Sequence, residues 1–300
     1  MKPEPGPNDR GEEGKRADIV VCVHNALDDA QRCLESVLDR SSPGTYRLIV
    51  VNDGSDDATT QWLRAFADAN GALLLESSTA ERYTRAANRG LRASTAPFVV
   101  LLNSDTIVTT SWLERLLACA ESDPAIGIVG PLSNAASYQS VPCVRDEQGD
   151  WSVNPLPEGV TPEDMAGLVA RLAKPEYPRI PFVNGFCFGI KRAVIDAIGY
   201  LDEDAFPNGY GEENDYCLRA AQAGFALAIA DDAYVFHAKS KSYSHEIRQT
   251  LSIEGAEALA RKYGKWHMRG KYRAINKFRG LDSLRASLTA ALKDSSRPGC

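Results

Sequence analysis

Apolar, β-branched runs alternate with amphipathic helical segments along the first third of this 300-residue chain. Runs suited to buried strands cover residues 18–24, 46–51, 72–75 and 98–102, and apolar residues at helical spacing follow the first three, from about residues 29, 57 and 84. Strands that alternate with helices in this way become neighbours in a parallel sheet with helices on both faces. The sequence therefore predicts an α/β fold with a mostly parallel central sheet flanked by helices.

The alternation continues with a helix for which Thr110 is the predicted N-cap and a short strand at residues 126–129. Between residues 133 and 181 it is interrupted by seven prolines and one helix, predicted from Thr161 as N-cap, Pro162 at the first position and Asp164. We expect this long loop to recognise a substrate. The remaining predictions are strands at 182–190, 225–229 and 233–236, helices at 192–198 and 213–223, and a helical C-terminal segment.

These patterns divide the chain into three parts. Residues 1–16 are rich in proline, glycine and charge, and we predict a disordered tail. Residues 17–245 form the predicted main domain, whose halves are residues 17–132 and 133–245. Residues 246–300 form the predicted C-terminal helical appendage.

Composition excludes several classes of protein. The formal net charge of -6 and the pI of about 5.4 argue against a nucleic-acid partner, because a surface that follows phosphates is usually basic. The seven cysteines are odd in number, scattered and never spaced as Cys-x-x-Cys, so they indicate neither a zinc site nor a disulfide framework. A reducing, cytoplasmic location is therefore predicted. No apolar run approaches the roughly 18 residues that a membrane span needs.

Acidic clusters occur where three of the predicted elements begin or end. Asn103, Ser104 and Asp105 close the strand at 98–102, residues 52–57 follow the strand at 46–51, and residues 211–215 precede a helix. Open α/β sheets bind their ligands at the carboxyl ends of the strands. Because the chain has neither a Gly-x-Gly-x-x-Gly nor a phosphate-loop motif, we expect a carboxylate-bound divalent cation to hold any phosphate, with Asp105 as its first ligand.

Six segments together resemble the family 2 glycosyltransferases, which have the Rossmann-like GT-A fold. The likeness spans about residues 18–245, and its carriers are Val20-Val21-Cys22-Val23-His24-Asn25, Val50-Val51-Asn52-Asp53-Gly54-Ser55-Asp56-Asp57, Asn88-Arg89-Gly90, Leu101-Leu102-Asn103-Ser104-Asp105, the run from Gly211 to Arg219, and His237. The Leu-Leu-Asn-x-Asp form is similar to that of many bacterial polysaccharide rhamnosyltransferases.

The resemblance implies a role for each matching residue. Asp53 would accept the imide N–H of a pyrimidine base, Asp105 would bind Mn²⁺ or Mg²⁺ and the diphosphate, and Glu213 would be the catalytic base. His237 and Asn103 would complete the metal shell. The remaining donor-binding candidates are Val23, Asn25, Asn88 and Ser104.

This chain departs from the family pattern at four positions. Cys22 and His24 replace a common proline and tyrosine, and Asn103 replaces an aspartate, which removes one negative charge from the metal site. Glu213 replaces an aspartate, so Glu212 and Asp215 remain alternative bases.

Other interpretations of these residues exist. Taken singly, each acidic cluster is more typical of a turn or a helix start, and His237 of a structural histidine. A haloacid-dehalogenase phosphatase is excluded because Asn103 occupies its nucleophile position. A sugar-nucleotide pyrophosphorylase would need a glycine-rich turn after the first strand. A non-catalytic module that binds glycans or nucleotide sugars remains the alternative.

The predicted function is that of a metal-dependent, inverting glycosyltransferase in cell-surface polysaccharide synthesis. Its donor would be a UDP- or dTDP-sugar, and its acceptor a hydroxyl of a glycan or lipid-linked saccharide.

One further segment predicts a partner. Residues 261–279 contain eight Lys and Arg, four interleaved aromatic residues and no acid. Such a segment is either a solvated helical face or a peripheral contact with an anionic membrane or a lipid-diphosphate acceptor.

Overall fold

The computed structural model describes residues 14–239 and 245–295, with no side chains described at 245–248, 294 and 295. Most of the predicted tail, residues 1–13, and residues 240–244 lie outside the described residues. Nine strands are described: β1 Ala17–Val23, β2 Tyr46–Asp53, β3 Leu73–Ser77, β4 Phe98–Asn103, β5 Thr106–Ile107, β6 Ile126–Leu132, β7 Cys187–Lys191, β8 Ala226–Tyr234 and β9 Phe236–His237.

Seven of these strands form one mostly parallel sheet in the order β3-β2-β1-β4-β7-β6-β8. β1, β2, β3 and β4 are mutually parallel, as are β6 and β8, whereas β7 is antiparallel to both β4 and β6. β5 and β9 form a separate antiparallel pair, in which Thr106 lies opposite His237. The predicted sheet is therefore confirmed.

Ten helices accompany the strands in the described part of the chain. They are α1 Leu27–Arg40, α2 Asp57–Asn70, α3 Tyr83–Ala93, α4 Trp112–Glu121, α5 Pro162–Leu172, α6 Arg192–Ile198, α7 Glu212–Gln222, α8 His245–Tyr263, α9 Lys265–Asn276 and α10 Asp282–Ser295. The predicted start of α5 is confirmed, because Thr161 and Asp164 form a reciprocal capping box with Pro162 in the first turn.

Helices cover both faces of the sheet. Successive strand residues point to opposite faces, and in this sheet the apolar side chains on each face are buried against helices. In β1, Val20 packs with α3, whereas Ile19 and Val21 pack with α1, α2 and α4. Gly90 of α3 lies against Val20 so closely that a Cβ at this position would overlap the valine side chain. This close approach fixes α3 on β1.

Three boundaries differ from the predictions. The α4 helix begins at Trp112 without a side-chain cap, and the Thr110 backbone N–H instead donates to the Glu163 carboxylate, so the Thr110 cap is wrong. The strand predicted at 182–190 begins only at Cys187, because residues 184–186 form a turn. In this turn the Phe186 N–H donates to Asn184 Oδ1 at 3.2 Å. The strands predicted at 225–229 and 233–236 are one continuous strand, β8, followed by β9.

The C-terminal helices share the main core. Leu259, Met268, Ile275, Leu284 and Leu288 are buried in the same apolar cluster as α3, α6 and α7. None of the described helices has the combined length and apolar character that crossing a bilayer requires.

Candidate active site

The Asp53 carboxylate is buried at the end of β2 and bonded to the start of α3. Its oxygens accept the backbone N–H groups of Glu81 and Arg82 at 2.7 and 2.9 Å. Gly54 makes this possible, because its φ of 62° and missing Cβ let the Thr79–Ala80 backbone approach closely. Each carboxylate oxygen can accept a second hydrogen bond, so Asp53 retains the capacity to bind a ligand donor.

The turn after β1 is held against Asp53 by polar side chains. The ring of His24 lies with Nδ1 2.7 Å from the Asp53 carbonyl oxygen. Asn25 has a left-handed φ of 58°, and its Oδ1 accepts the Asp56 N–H at 2.8 Å. Val23, the preceding residue, is fully buried in the core. These contacts bring Val23, Asn25 and Asp53 together at one edge of the sheet.

Asp105 and His237 meet across the β5–β9 pair. Oδ1 of Asp105 lies 3.3 Å from Nε2 of His237, and the opposite ring nitrogen, Nδ1, lies 3.1 Å from the Ala135 carbonyl oxygen. The imidazole is also stacked on Phe186, with ring centroids 5.2 Å apart. The His237 ring is therefore held in one orientation.

This orientation determines which atoms of His237 can bind a cation. A carbonyl oxygen only accepts, so Nδ1 carries a proton, and Nε2 faces a carboxylate oxygen that also accepts when ionised. Two acceptors at this separation repel each other unless a proton or a cation lies between them. A divalent cation could therefore take the place of a proton at the Asp105–His237 pair.

Glu212 and Glu213 begin α7 with contrasting environments. Glu212 is buried, and its Oε2 has no hydrogen-bond partner among the described residues. Burial raises the pKa of Glu212 well above the usual carboxyl range, and the Glu213 charge raises it further. Glu213 is half-buried, and its Oε2 accepts the Gly211 N–H at 3.2 Å. Burial thus disfavours the charged form of Glu212.

Asp215, the third acidic residue of this cluster, is fully buried and fully paired. One oxygen accepts from Arg219 Nε at 2.8 Å, and the other accepts from Lys262 Nζ and the Tyr263 hydroxyl, each at 2.7 Å. Lys262 also contacts Asp202 at 2.7 Å. Asp215 therefore joins α7 to the end of α8.

The turn at residues 184–186 lies between the Asp105–His237 pair and the carboxylate pair, which is Glu212 and Glu213. Gly185 lies against Glu213, since a Cβ at Gly185 would meet the Glu213 Cβ at 3.4 Å. Phe186 stacks on His237, and its carbonyl oxygen accepts the Asn103 N–H at 2.9 Å. Asn103, Asp105, His237 and Glu213 are thus arranged around one turn.

The remaining candidates are placed differently. Ser104 lies in the half-buried turn between β4 and β5. The side-chain amide of Asn103 makes no hydrogen bond to a described residue, whereas its backbone N–H is bonded to Phe186. The Asn88 amide is buried, bonds both backbone groups of Leu201 at 2.9 Å, and donates to Glu203 at 2.8 Å. These bonds commit Asn88 to anchoring the loop after α6.

Sequence reasoning missed Tyr83, Gly185 and Phe186. Tyr83 is a further polar group near the carboxylate pair, and the pKa of its hydroxyl is raised by burial and then by the charges of Cys22, Glu212 and Glu213. Burial likewise raises the pKa of the Cys22 thiol to about 12, followed by the Asp53 charge. No motif marks Tyr83, and the apolar run at 182–190 concealed the Gly185 turn.

The donor set suits a cation that also binds phosphate. Among the described residues, no three His, Cys, Asp or Glu side chains form a complete metal cage. Mg²⁺ sites in phosphate-transferring proteins commonly use one or two carboxylates together with waters and substrate phosphates, and imidazole is a suitable additional ligand for transition metals. Asp105 and His237, with Asn103 beside them, fit such a site.

Comparison with known proteins finds several similar chains. The chain is 24% identical over 224 residues to the glycosyltransferase AglE of Haloferax volcanii, covering 73% of this chain and 66% of AglE. It is 26% identical over 234 residues to the uncharacterized protein y4gI of Sinorhizobium fredii, covering 76% of this chain and 25% of that protein. The chain therefore spans 25% to 66% of the length of these two curated relatives.

Two solved structures share the fold. GalNAc-T7 with UDP, GalNAc and Mn²⁺ aligns with a TM-score of 0.57 at 19% identity, over 74% of this chain and 42% of that one. The mannosyltransferase PcManGT from Pyrobaculum calidifontis, in complex with GDP-Man and Mn²⁺, aligns with a TM-score of 0.56 at 16% identity, over 95% and 88%. The GT-A fold predicted from the sequence is confirmed.

The family model described as "Glycosyl transferase family 2" matches residues 18–199, more than half of the chain. Its match covers β1 to α6 and includes the Asp53 and Asp105 turns. The resemblance seen in the sequence is confirmed, and the chain belongs to glycosyl transferase family 2.

Proposed function

We propose that this protein is a metal-dependent, inverting glycosyltransferase that uses a pyrimidine-nucleotide sugar. The observation that carries the proposal is the Asp105–His237 pair, whose acceptor atoms lie 3.3 Å apart with the other imidazole nitrogen turned towards the Ala135 carbonyl. Both solved neighbours described above contain Mn²⁺, which supports assigning the same cation here.

Asp105 and His237 would hold the cation, and Asn103 would bind a metal-bound water or a ribose hydroxyl. When bound, the cation neutralises charge on the leaving diphosphate. Mn²⁺ is favoured over Ca²⁺ because Ca²⁺ takes oxygen ligands, whereas a transition metal such as Mn²⁺ also accepts imidazole.

Glu213 is the proposed base because it is the less buried of the two glutamates that begin α7. Burial disfavours the charged form of the Glu212 carboxyl and raises its pKa, which makes Glu212 the weaker candidate. Glu213 would take the proton from the acceptor hydroxyl. A single positioned base is sufficient for direct displacement at the anomeric carbon, so we propose inversion. Asp215 is too fully paired to serve instead.

Asp53 is the proposed recognition group for the nucleotide base. Its oxygens each accept one backbone N–H and each has a lone pair for the imide N–H of uracil or thymine. Uracil and thymine share this donor, so Asp53 allows both UDP and dTDP donors. Because PcManGT is described with GDP-Man, a guanine donor belongs in the same test.

The acceptor is proposed to be a glycan or a lipid-linked saccharide in cell-surface polysaccharide synthesis, bound by the half of the domain after residue 132. The long loop between β6 and β7 supports this assignment, because long loops with their own helix are usually functional. Peripheral contact with an anionic membrane is consistent with a lipid-linked acceptor.

A panel of UDP-, dTDP- and GDP-sugars with Mn²⁺ tests the proposal. We expect one pyrimidine donor to raise the melting temperature only when Mn²⁺ is present and to release nucleotide in the presence of acceptor. NMR of the product then reports inversion or retention. Stabilisation by a donor without transfer to any glycan or glycolipid would instead favour a non-catalytic module that binds nucleotide sugars.

A further inference from the structure

The α9 helix buries one face and leaves the opposite face uncovered. Met268 and Ile275 are buried in the core, and Tyr272 packs 5.9 Å from Phe182 between ring centroids. The outward residues include Trp266, whose side chain is 83% exposed. We name the outward set the basic face; its members are Lys265, Trp266, Arg269, Arg273 and Lys277, all of them exposed.

No acid balances the charge of the basic face. The sequence from residue 258 to residue 281 contains no Asp or Glu. None of the four cations of the basic face forms an ion pair within the described part of the chain. Arg269 instead lies over the Trp266 ring, with its guanidinium carbon 5.8 Å from the centroid. These four charges therefore contribute no ion pair to the described part of the fold.

Trp266 is also unlike the other tryptophans. Trp112 is fully buried, Trp62 stacks on Phe66, and the half-buried Trp151 packs against Tyr138 with Arg145 over its ring. A tryptophan that only covers a core loses most of its exposure, whereas one at a membrane interface places an apolar ring beside a polar N–H at headgroup level. The exposed Trp266 ring, with Arg269 over it, is therefore available to a partner outside the fold.

We propose that the basic face is the docking surface for the anionic headgroups of a lipid bilayer. The argument is charge complementarity: a chain of net charge -6 concentrates three uncompensated cations and an exposed indole on one helix of 12 residues, and the fourth cation, Lys277, directly follows the helix. The helix is about 18 Å long, so its cations reach several neighbouring headgroups on a flat surface. Nucleic acid is the less favoured occupant, because proteins that bind single strands stack successive bases on several aromatic side chains along a groove, whereas the basic face carries one exposed indole.

Vesicle co-sedimentation at physiological salt tests this proposal. We expect the purified chain to sediment with phosphatidylcholine vesicles that contain phosphatidylglycerol, and to stay in solution with phosphatidylcholine alone. Tryptophan emission should shift to shorter wavelength on the anionic vesicles, and Trp266→Ser should abolish that shift.

Charge reversal on the basic face provides the decisive comparison. Arg269→Glu with Arg273→Glu should lower the partition coefficient by at least about tenfold, because each cation near an anionic surface contributes severalfold. The matched control, Arg171→Glu with Lys174→Glu, changes net charge equally at exposed positions in and after α5, and should bind within about twofold of wild type. Unchanged melting temperatures show that each variant is folded.

Several outcomes would overturn the proposal. They are equal recovery with both vesicle types, an equal loss in the control pair, and binding of single-stranded RNA without binding of vesicles. Because neither donor nor acceptor is present, this experiment is independent of the transferase proposal. Sugar transfer without sedimentation would contradict only the docking proposal, and sedimentation without sugar transfer would contradict only the transferase proposal.

Discussion

At the scale of single residues, the Asp105–His237 pair makes a sharp prediction. In Asp105→Asn, the amide can donate to His237 Nε2, so the local structure is preserved while the negative charge is lost. We expect Mn²⁺-stimulated transfer to fall by about a hundredfold or more, since the cation stabilises the leaving charge by several kcal/mol. Mn²⁺ titrations of transfer provide the measurement.

The control for this change is Asp68→Asn, which alters an exposed carboxylate on α2. Its Mn²⁺ titration should match that of wild type. His237→Ala should shift the titration to higher Mn²⁺ concentration. Full Mn²⁺ stimulation in Asp105→Asn would remove Asp105 from the metal site.

The two glutamates of α7 should differ in their effect on transfer. Glu213→Gln should reduce the rate of transfer by about a hundredfold or more, the scale of a lost general base, and should still bind donor. Glu212→Gln should stay within about tenfold of wild type, because burial raises the pKa of Glu212 and disfavours the charged form that a general base needs. Single-turnover rates with saturating donor make the comparison. The opposite ranking would assign the base to Glu212.

Glu212 should also make stability depend on pH. Its folded pKa lies above its unfolded value, so between the two values the folded state binds more protons than the unfolded state. This contribution is fully favourable below the unfolded pKa and is lost as the pH rises through the folded pKa. Urea midpoints measured from pH 5 upward should therefore fall less steeply in Glu212→Gln than in wild type. Parallel pH profiles would show that Glu212 is ionised in the fold.

At the scale of elements, the contact of α7 with α8 depends on one buried carboxylate. Lys262→Met removes one of three partners from Asp215, and Arg219 and Tyr263 remain. Because Lys262 is partly exposed, we expect a loss of about 1–2 kcal/mol rather than the larger cost of a wholly buried pair. Arg261→Met is the matched control, since its contact with Glu257 is 3.6 Å long and exposed. Equal urea midpoints for both variants would contradict this role.

The sequence predicted individual elements better than their arrangement. The strands before residue 132 and the α5 capping box carry local signals, namely apolar runs and a Thr161–Asp164 spacing. Insertion of the antiparallel β7 between β4 and β6 depends on pairing between distant segments, which no local pattern specifies. The Thr110 cap failed because α4 begins one residue later than predicted, with Ser111 in a left-handed conformation at the N-cap position and no side-chain cap bond.

The candidate site was predictable in its residue types and less so in its connections. The acids at strand ends indicated Asp53 and Asp105, because parallel strands bring their carboxyl ends to one edge. The stacking of Phe186 on His237, which orients the imidazole, joins residues 51 positions apart and has no sequence signature. The raised pKa of Glu212 follows from its burial, which its position beside Glu213 in the sequence does not reveal.

At the scale of the whole molecule, the C-terminal helices are continuous with the catalytic core. Leu288 of α10 is fully buried in the cluster that also contains Met165 and Val169 of α5. A helical segment packed in this way should unfold together with the domain that it covers. Loss of its packing should therefore destabilise the whole protein.

Leu288→Ala tests this continuity. A fully buried leucine lost to alanine costs about 2–5 kcal/mol through lost transfer energy and the cavity left behind. We expect the urea midpoint to fall, with near-UV and far-UV circular dichroism still giving coincident transitions. Ile253→Ala is the control, because Ile253 is 60% exposed on α8 and its change should cost less than about 0.5 kcal/mol. An early, separate far-UV transition with donor binding intact would show instead that the C-terminal helices unfold independently.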